Sequence, residues 1–140
     1  MSINTSTAGA STASNSSTTI LLGRILLAAI FLLSGFGKLT AISGTAGYFG
    51  AIGLPVPTVT AIVVGLIELL GGIAILVGFQ TRIAAWVLAI FTIATALVAH
   101  TGWADQNQMI HFLKNVAITG GFLVLASSGP GAYSIDAKRG

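Results

Sequence analysis

The sequence predicts an all-α integral membrane protein: an antiparallel four-helix bundle with a short interfacial helix between the first and second spans. Two observations carry this. Only 6% of the 140 residues are charged while 54% are hydrophobic, against roughly 25% charged in an ordinary soluble domain. Such a chain lacks the polar surface needed to stay in water. Four apolar runs are also each long enough to cross about 30 Å of hydrocarbon, which takes about 20 helical residues.

The first run is Ile20 to Leu39. Before it, residues 1–19 are rich in Ser, Thr, Ala and Asn and carry no charge, so a disordered tail is expected. That stretch is not the basic leader of a signal peptide, and the run after it has no small-x-small cleavage site. The second run, Thr58 to Phe79, reads TVTAIVVGLIELLGGIAILVGF with Glu68 near its centre. A carboxylate at mid-bilayer costs about 2.5–3.5 kcal/mol by insertion scales, so it must face protein or water. Gly65, Gly71 and Gly72 share its face and allow another backbone to approach closely. The third run is Arg82 to Thr101 and the fourth Met109 to Ser127. Gln80-Thr81 joins the second and third in a tight hairpin, and Gly102 to Gln108 forms a polar turn. The domain is expected over 20–127, with a C-terminal tail over 128–140.

Leu39 to Pro57 is the long connection. Ile42, Ala46, Phe49 and Ile52 recur at helical spacing, too short to span. This reads as an interfacial or re-entrant helix ended by Pro55 and Pro57, with a Gly-rich loop as the alternative.

Lys and Arg set the orientation. Arg82, Lys138 and Arg139, with Arg24 nearest, fall on the side of both termini, against Lys38 and Lys114 on the other. Both termini are expected in the cytoplasm. The net charge of +3 comes from six scattered bases, not a patch, so nucleic acid is not an expected partner. The lipid bilayer is. With no cysteine, this chain has no disulfide, thiol redox pair, thiolate metal site or cysteine nucleophile.

The polar residues inside the spans are the candidate site. Arg24, Ala28, Phe31, Gly35 and Lys38 lie along one helix face. Arg24 either snorkels to the headgroups or forms a buried ion pair with Glu68. On the fourth run His111, Lys114 and Asn115 share a face, and Lys114 is expected to pair with Glu68 or Asp105. Lys38, His100, His111, Lys114 and Asn115 fall at similar outer depth with Glu68 below. Together they are expected to line an outward-facing pocket that binds an anion or a carbonyl group, capped by Tyr48 and Phe49. The bland alternative is separate snorkelling, with Tyr48 and Trp103 in the aromatic belt. A haem held by His100 and His111 is not favoured, since two histidines at neighbouring helix ends arise readily by chance. A metal site is not expected, because two His and three acids show no ligating spacing. GFGKLT at Gly35 to Thr40 lacks the upstream glycine of a phosphate loop.

Several segments in order resemble the DoxX family of small bacterial membrane proteins. They are GRILLAAIFLLSGFGKL at Gly23 to Leu39, GLP at Gly53 to Pro55, ELLGGIAILVGF at Glu68 to Phe79 and HFLKNVAITGGFLVL at His111 to Leu125. The resemblance implies a four-helix inner-membrane protein whose polar positions are Arg24, Lys38, Glu68, His111, Lys114 and Asn115. The family name comes from a subunit of a thiosulfate:quinone oxidoreductase, and other members are linked to redox and thiol-stress complexes. The implied function is a redox-associated membrane subunit with redox partner proteins, binding a quinone or small oxidisable molecule in the pocket. There Lys and His would donate hydrogen bonds and Glu68 would accept a proton. Small-solute transport, which would call for a homo-oligomer to complete a path, and a purely structural anchor are the alternatives.

Overall fold

The computed structural model describes the backbone of residues 3–102 and 104–139 and side chains from Asn15 onward. Trp103, placed by sequence in the aromatic belt, lies outside the described residues. Among the described residues six helices follow in order: α1 (Ile3–Thr40), α2 (Ile42–Ala51), α3 (Pro57–Val77), α4 (Thr81–Ala99), α5 (Gln106–Ser128) and α6 (Ile135–Arg139). Four segments are long and apolar enough to cross a membrane: Asn15–Thr40 within α1, then α3, α4 and α5. The protein is thus an integral membrane four-helix bundle.

The helical backbone of α1 begins at Ile3, inside the stretch read as a tail, whose side chains before Asn15 lie outside the described residues. The packed structure reaches back at least to Ser17, a buried residue whose hydroxyl accepts a hydrogen bond from the Ala132 N–H.

Packing follows from size. Small residues fill the interior: Ala28, Ala61, Ala85 and Ala96 are fully buried, around Ile75, Leu88 and Phe122. Bulky residues such as Leu26, Leu33, Ile90 and Val124 are exposed on the outside, where lipid tails solvate them. Without a hydrophobic drive between helices in lipid, close van der Waals packing of small residues holds the bundle together.

α1 packs chiefly on α3, and α4 on α5. The α1–α3 contact depends on glycine. A Cβ on Gly35 would lie 2.5 Å from the Leu69 backbone N and 2.8 Å from the Gly65 carbonyl O. Backbone therefore meets backbone at this crossing, which fixes the register of the two helices.

α2 is the expected short helix. Its Phe49 is buried, and α2 packs mainly against α3. The two prolines do not end it, contrary to the sequence reading. α2 stops at Ala51, before Gly53 at φ +84°, and Pro57 instead opens α3. Proline fits the first helical turn because its missing N–H is an orphan there in any case.

Candidate functional site

Polar side chains gather in two places, one at an end of the bundle and one running from mid-span toward the opposite end. At the end where α3 meets α4, Arg24 is 1% exposed. Its guanidinium donates to the carbonyls of Ile75 (2.9 Å), Leu76 (2.7 Å), Pro130 (3.0 Å) and Tyr133 (2.8 Å). Ile75 and Leu76 stand in the last turn of α3, where carbonyls have no partner within the helix. The expected Arg24–Glu68 ion pair is therefore corrected. The Gly35 crossing sets Arg24 level with Ile75, seven residues and so about 10 Å along α3 from Glu68.

The chain after α5 closes this end. Asp136 accepts from the Gln80 N–H (2.7 Å), the Thr81 N–H (2.8 Å) and the Thr81 hydroxyl (2.7 Å), so it caps α4 from a distant segment. Burial alone would raise its carboxyl pKa. The Thr81 and Gln80 hydrogen bonds and the Arg139 charge outweigh that and hold it below the ordinary carboxylate value. Arg82 likewise donates to the Ala126 and Ser127 carbonyls at the end of α5. Gly78, at φ +72°, passes so close that a Cβ would meet Ser134 and the Arg24 guanidinium. Part of the stretch read as a tail thus packs over this end, through buried Gly129 and Ser134 and the Asp136 cap.

The opposite end holds a cavity of ≈ 410 Å³ between the α1–α3 and α4–α5 pairs. Its apolar walls include Phe31, Val64, Phe91 and Ile118, with Tyr48 and Phe49 of α2 also lining it. On one wall the Lys38 ammonium bonds Glu68 at 3.0 and 3.2 Å and the Ser34 hydroxyl at 2.7 Å. Glu68 is buried within the bundle as expected, but its cation is Lys38, not Arg24 or Lys114. Ser34 and Lys38, four residues apart on α1, converge from one face.

On the facing wall, buried Asn115 of α5 donates to the Thr92 carbonyl (3.3 Å) and the Thr95 hydroxyl (3.1 Å) of α4. Thr95 in turn donates to the Thr92 carbonyl at 2.9 Å. Thr92 is 3% exposed, and its hydroxyl oxygen is a buried polar atom with no hydrogen-bond partner among the described residues.

Of the six residues expected in the pocket, Lys38, Glu68, His100, Lys114 and Asn115 line the cavity. His111 is exposed at the rim instead, its ring stacked on His100 with centroids 5.2 Å apart at 28°. Lys114 pairs with neither Glu68 nor Asp105. Its ammonium lies 3.5 Å from His111 Nδ1, while Asp105 caps α5 by accepting from the Asn107 N–H. His100 Nδ1 lies 3.0 Å from Gln108 Oε1. Sequence reading missed Ser34, Thr92 and Thr95. The available signal was Ser34 four residues before Lys38, and Thr92 and Thr95 one turn apart on the third run.

Four spanning helices, sealed at one end and opening round an ion-paired cavity at the other, define a small integral membrane protein with room for a ligand. Pockets for small molecules run from about 300 to 1,000 Å³. The chain belongs to the DoxX family, whose family model matches residues 19–101. It is 44% identical over 117 residues to the inner membrane protein YqjF of Escherichia coli (strain K12), covering 84% of this chain and 88% of that protein. YphA, another inner membrane protein of that strain, is 40% identical over 124 residues, covering 85% and 89%. CatD of Bacillus subtilis (strain 168), named as a candidate oxidoreductase, is 38% identical over 78 residues, 56% of each chain. No solved structure matches significantly.

Proposed function

We propose that the protein lies in the inner membrane with both termini in the cytoplasm, and that its outward cavity binds a quinone or similar small redox-active molecule for redox partner proteins. The observation that carries this is the Lys38–Glu68 pair set into the wall of an otherwise largely apolar, ligand-sized cavity. Ionisable groups within spans are expensive and tend to mark pathways or sites. An apolar slot with a few placed polar groups suits a ring compound with oxygen substituents. Lys38 would donate to a carbonyl oxygen, and Glu68, held next to it, would take up a hydroxyl proton. The oxidoreductase name of CatD is in keeping with this reading. The excess of Arg and Lys at the terminal end supports the orientation.

The test is purification from native membranes in mild detergent, followed by solvent extraction and mass spectrometry. Wild-type protein is expected to carry quinone and Lys38→Met to lose it. Quinone missing from the wild type, or equally abundant in the variant, would overturn the assignment. A C-terminal reporter active only outside the cytoplasm would invert the topology.

A further inference from the structure

We infer that the Thr92 hydroxyl is an oxygen-recognising group of this cavity, on the wall opposite Lys38, left without an internal partner for an uncharged, carbonyl-bearing molecule that enters from the bilayer. This rests on reading the cavity as a ligand site, but it does not require the ligand to be redox-active.

The hydrogen-bond inventory of the α4–α5 wall leads here. Both amide protons of Asn115 are committed, to the Thr92 carbonyl and the Thr95 hydroxyl. The Thr95 proton is committed to the Thr92 carbonyl. The Thr92 O–H is the buried donor left over among the described residues, on a residue 3% exposed that lines the cavity. A helical threonine usually gives its proton to a carbonyl three or four residues earlier. Thr92 does not, although Thr95, one turn on, does. Burying an unbonded hydroxyl costs free energy, and valine would fill the same space without that cost. A carbonyl oxygen accepts this proton and demands none in return.

The route of entry follows from exposure. Ile30, midway along the first span, and Val98 of α4 both line the cavity, yet they are 38% and 53% exposed. Part of the wall therefore meets hydrocarbon at the depth of the spans. A neutral, lipid-soluble molecule reaches the cavity there without crossing the headgroup layer.

The experiment uses the full-length protein in lipid nanodiscs with three probes of one shape: 1,4-naphthoquinone, the redox-inert single ketone α-tetralone, and naphthalene. Wild-type protein is expected to bind both ketones more tightly than naphthalene. Thr92→Val should weaken both ketones about 10-fold, the loss of one well-made hydrogen bond, and leave naphthalene unchanged. Thr92→Ser should retain ketone binding. Without ligand, Thr92→Val should melt above the wild type, a shift opposite to that of a structural hydroxyl. The inference is overturned if no ketone binds wild-type protein, if Thr92→Val binds ketones undiminished, or if that variant melts lower or fails to fold. Ketone binding that depends on Thr92, with no quinone in the purified protein, would uphold this inference and remove the redox reading.

Discussion

At one end of the bundle the buried Arg24 guanidinium gives its protons to four backbone carbonyls. At the other, the Lys38 ammonium bonds Glu68 and Ser34 beside ≈ 410 Å³ of space. Both are cations on one face of α1, separated by fourteen residues, about 21 Å along the helix. The difference lies in what surrounds them. Where the chain after α5 folds back, Arg24, Arg82 and Asp136 all bond fixed backbone groups. Where α2 packs against α3, the Lys38–Glu68 ion pair sits in the wall of an open cavity. The guanidinium suits the first task because its planar fork reaches several acceptors at once, and the ammonium suits the second as a mobile point charge.

The comparison breaks most visibly at Arg24. Arg24→Ala should cost about 3–5 kcal/mol or abolish folding, since it strands several buried carbonyls at about 1–3 kcal/mol each. Arg24→Lys should rescue it poorly, as three donors cannot reproduce the fork. Thermal unfolding and yield of monodisperse protein in detergent would show this, and a wild-type melting curve for either variant would refute it.

Gly35→Ala should rank next. Its Cβ would meet α3 backbone, not a flexible side chain, so about 2–3 kcal/mol of overpacking cost is expected. Because Gly35 sets the register that brings Lys38 to Glu68, the variant should also lose ligand binding. Retained stability would mean the helices can separate at little cost.

Lys38→Met leaves the Glu68 carboxylate without its cation. It should cost about 1–3 kcal/mol, and adding Glu68→Gln should recover most of that without restoring binding. Denaturation of the two singles and the double measures the coupling. No recovery in the double variant would show that the pair acts in stability and not at a site.

The sealed end should also respond to acid. The folded Asp136 pKa is depressed below an unfolded value of about 3.9. Its contribution is therefore fully present above about pH 4 and is lost as pH falls through the folded value. Asp136→Asn should remove that slope and cost about 1 kcal/mol, as loss of a helix cap does. Melting temperature against pH for the two proteins decides it. The smallest effect is expected at His111, exposed on the rim: His111→Ala should stay within about 0.5 kcal/mol of wild type.

The residues themselves show why some of this was legible and some was not. The apolar runs predicted the spans to within a few residues, because hydrocarbon thickness fixes helix length. The short helix over Ile42–Ala51 followed from its periodicity. Glu68 was placed inside the bundle because lipid excludes a carboxylate. Its partner was misread because three cations stood within a plausible reach in depth. Only the register of α1 against α3 chooses among them, and that register is set by the contact of Gly35 with Leu69 and Gly65.

The amino-acid sequence by itself determined a membrane-spanning four-helix architecture, the short helix after the first span and the presence of charged groups that cannot face lipid. These follow from composition and period, which act locally along the chain. Tertiary structure alone decided that Arg24 closes α3, that Asp136 caps α4 from fifty-five residues away, and that Thr92 is left with an unshared proton beside the cavity. The first two are hydrogen bonds between groups far apart in the chain, and the third is a hydroxyl that packing leaves without an acceptor; geometry, not residue type, determines which acceptor lies within reach.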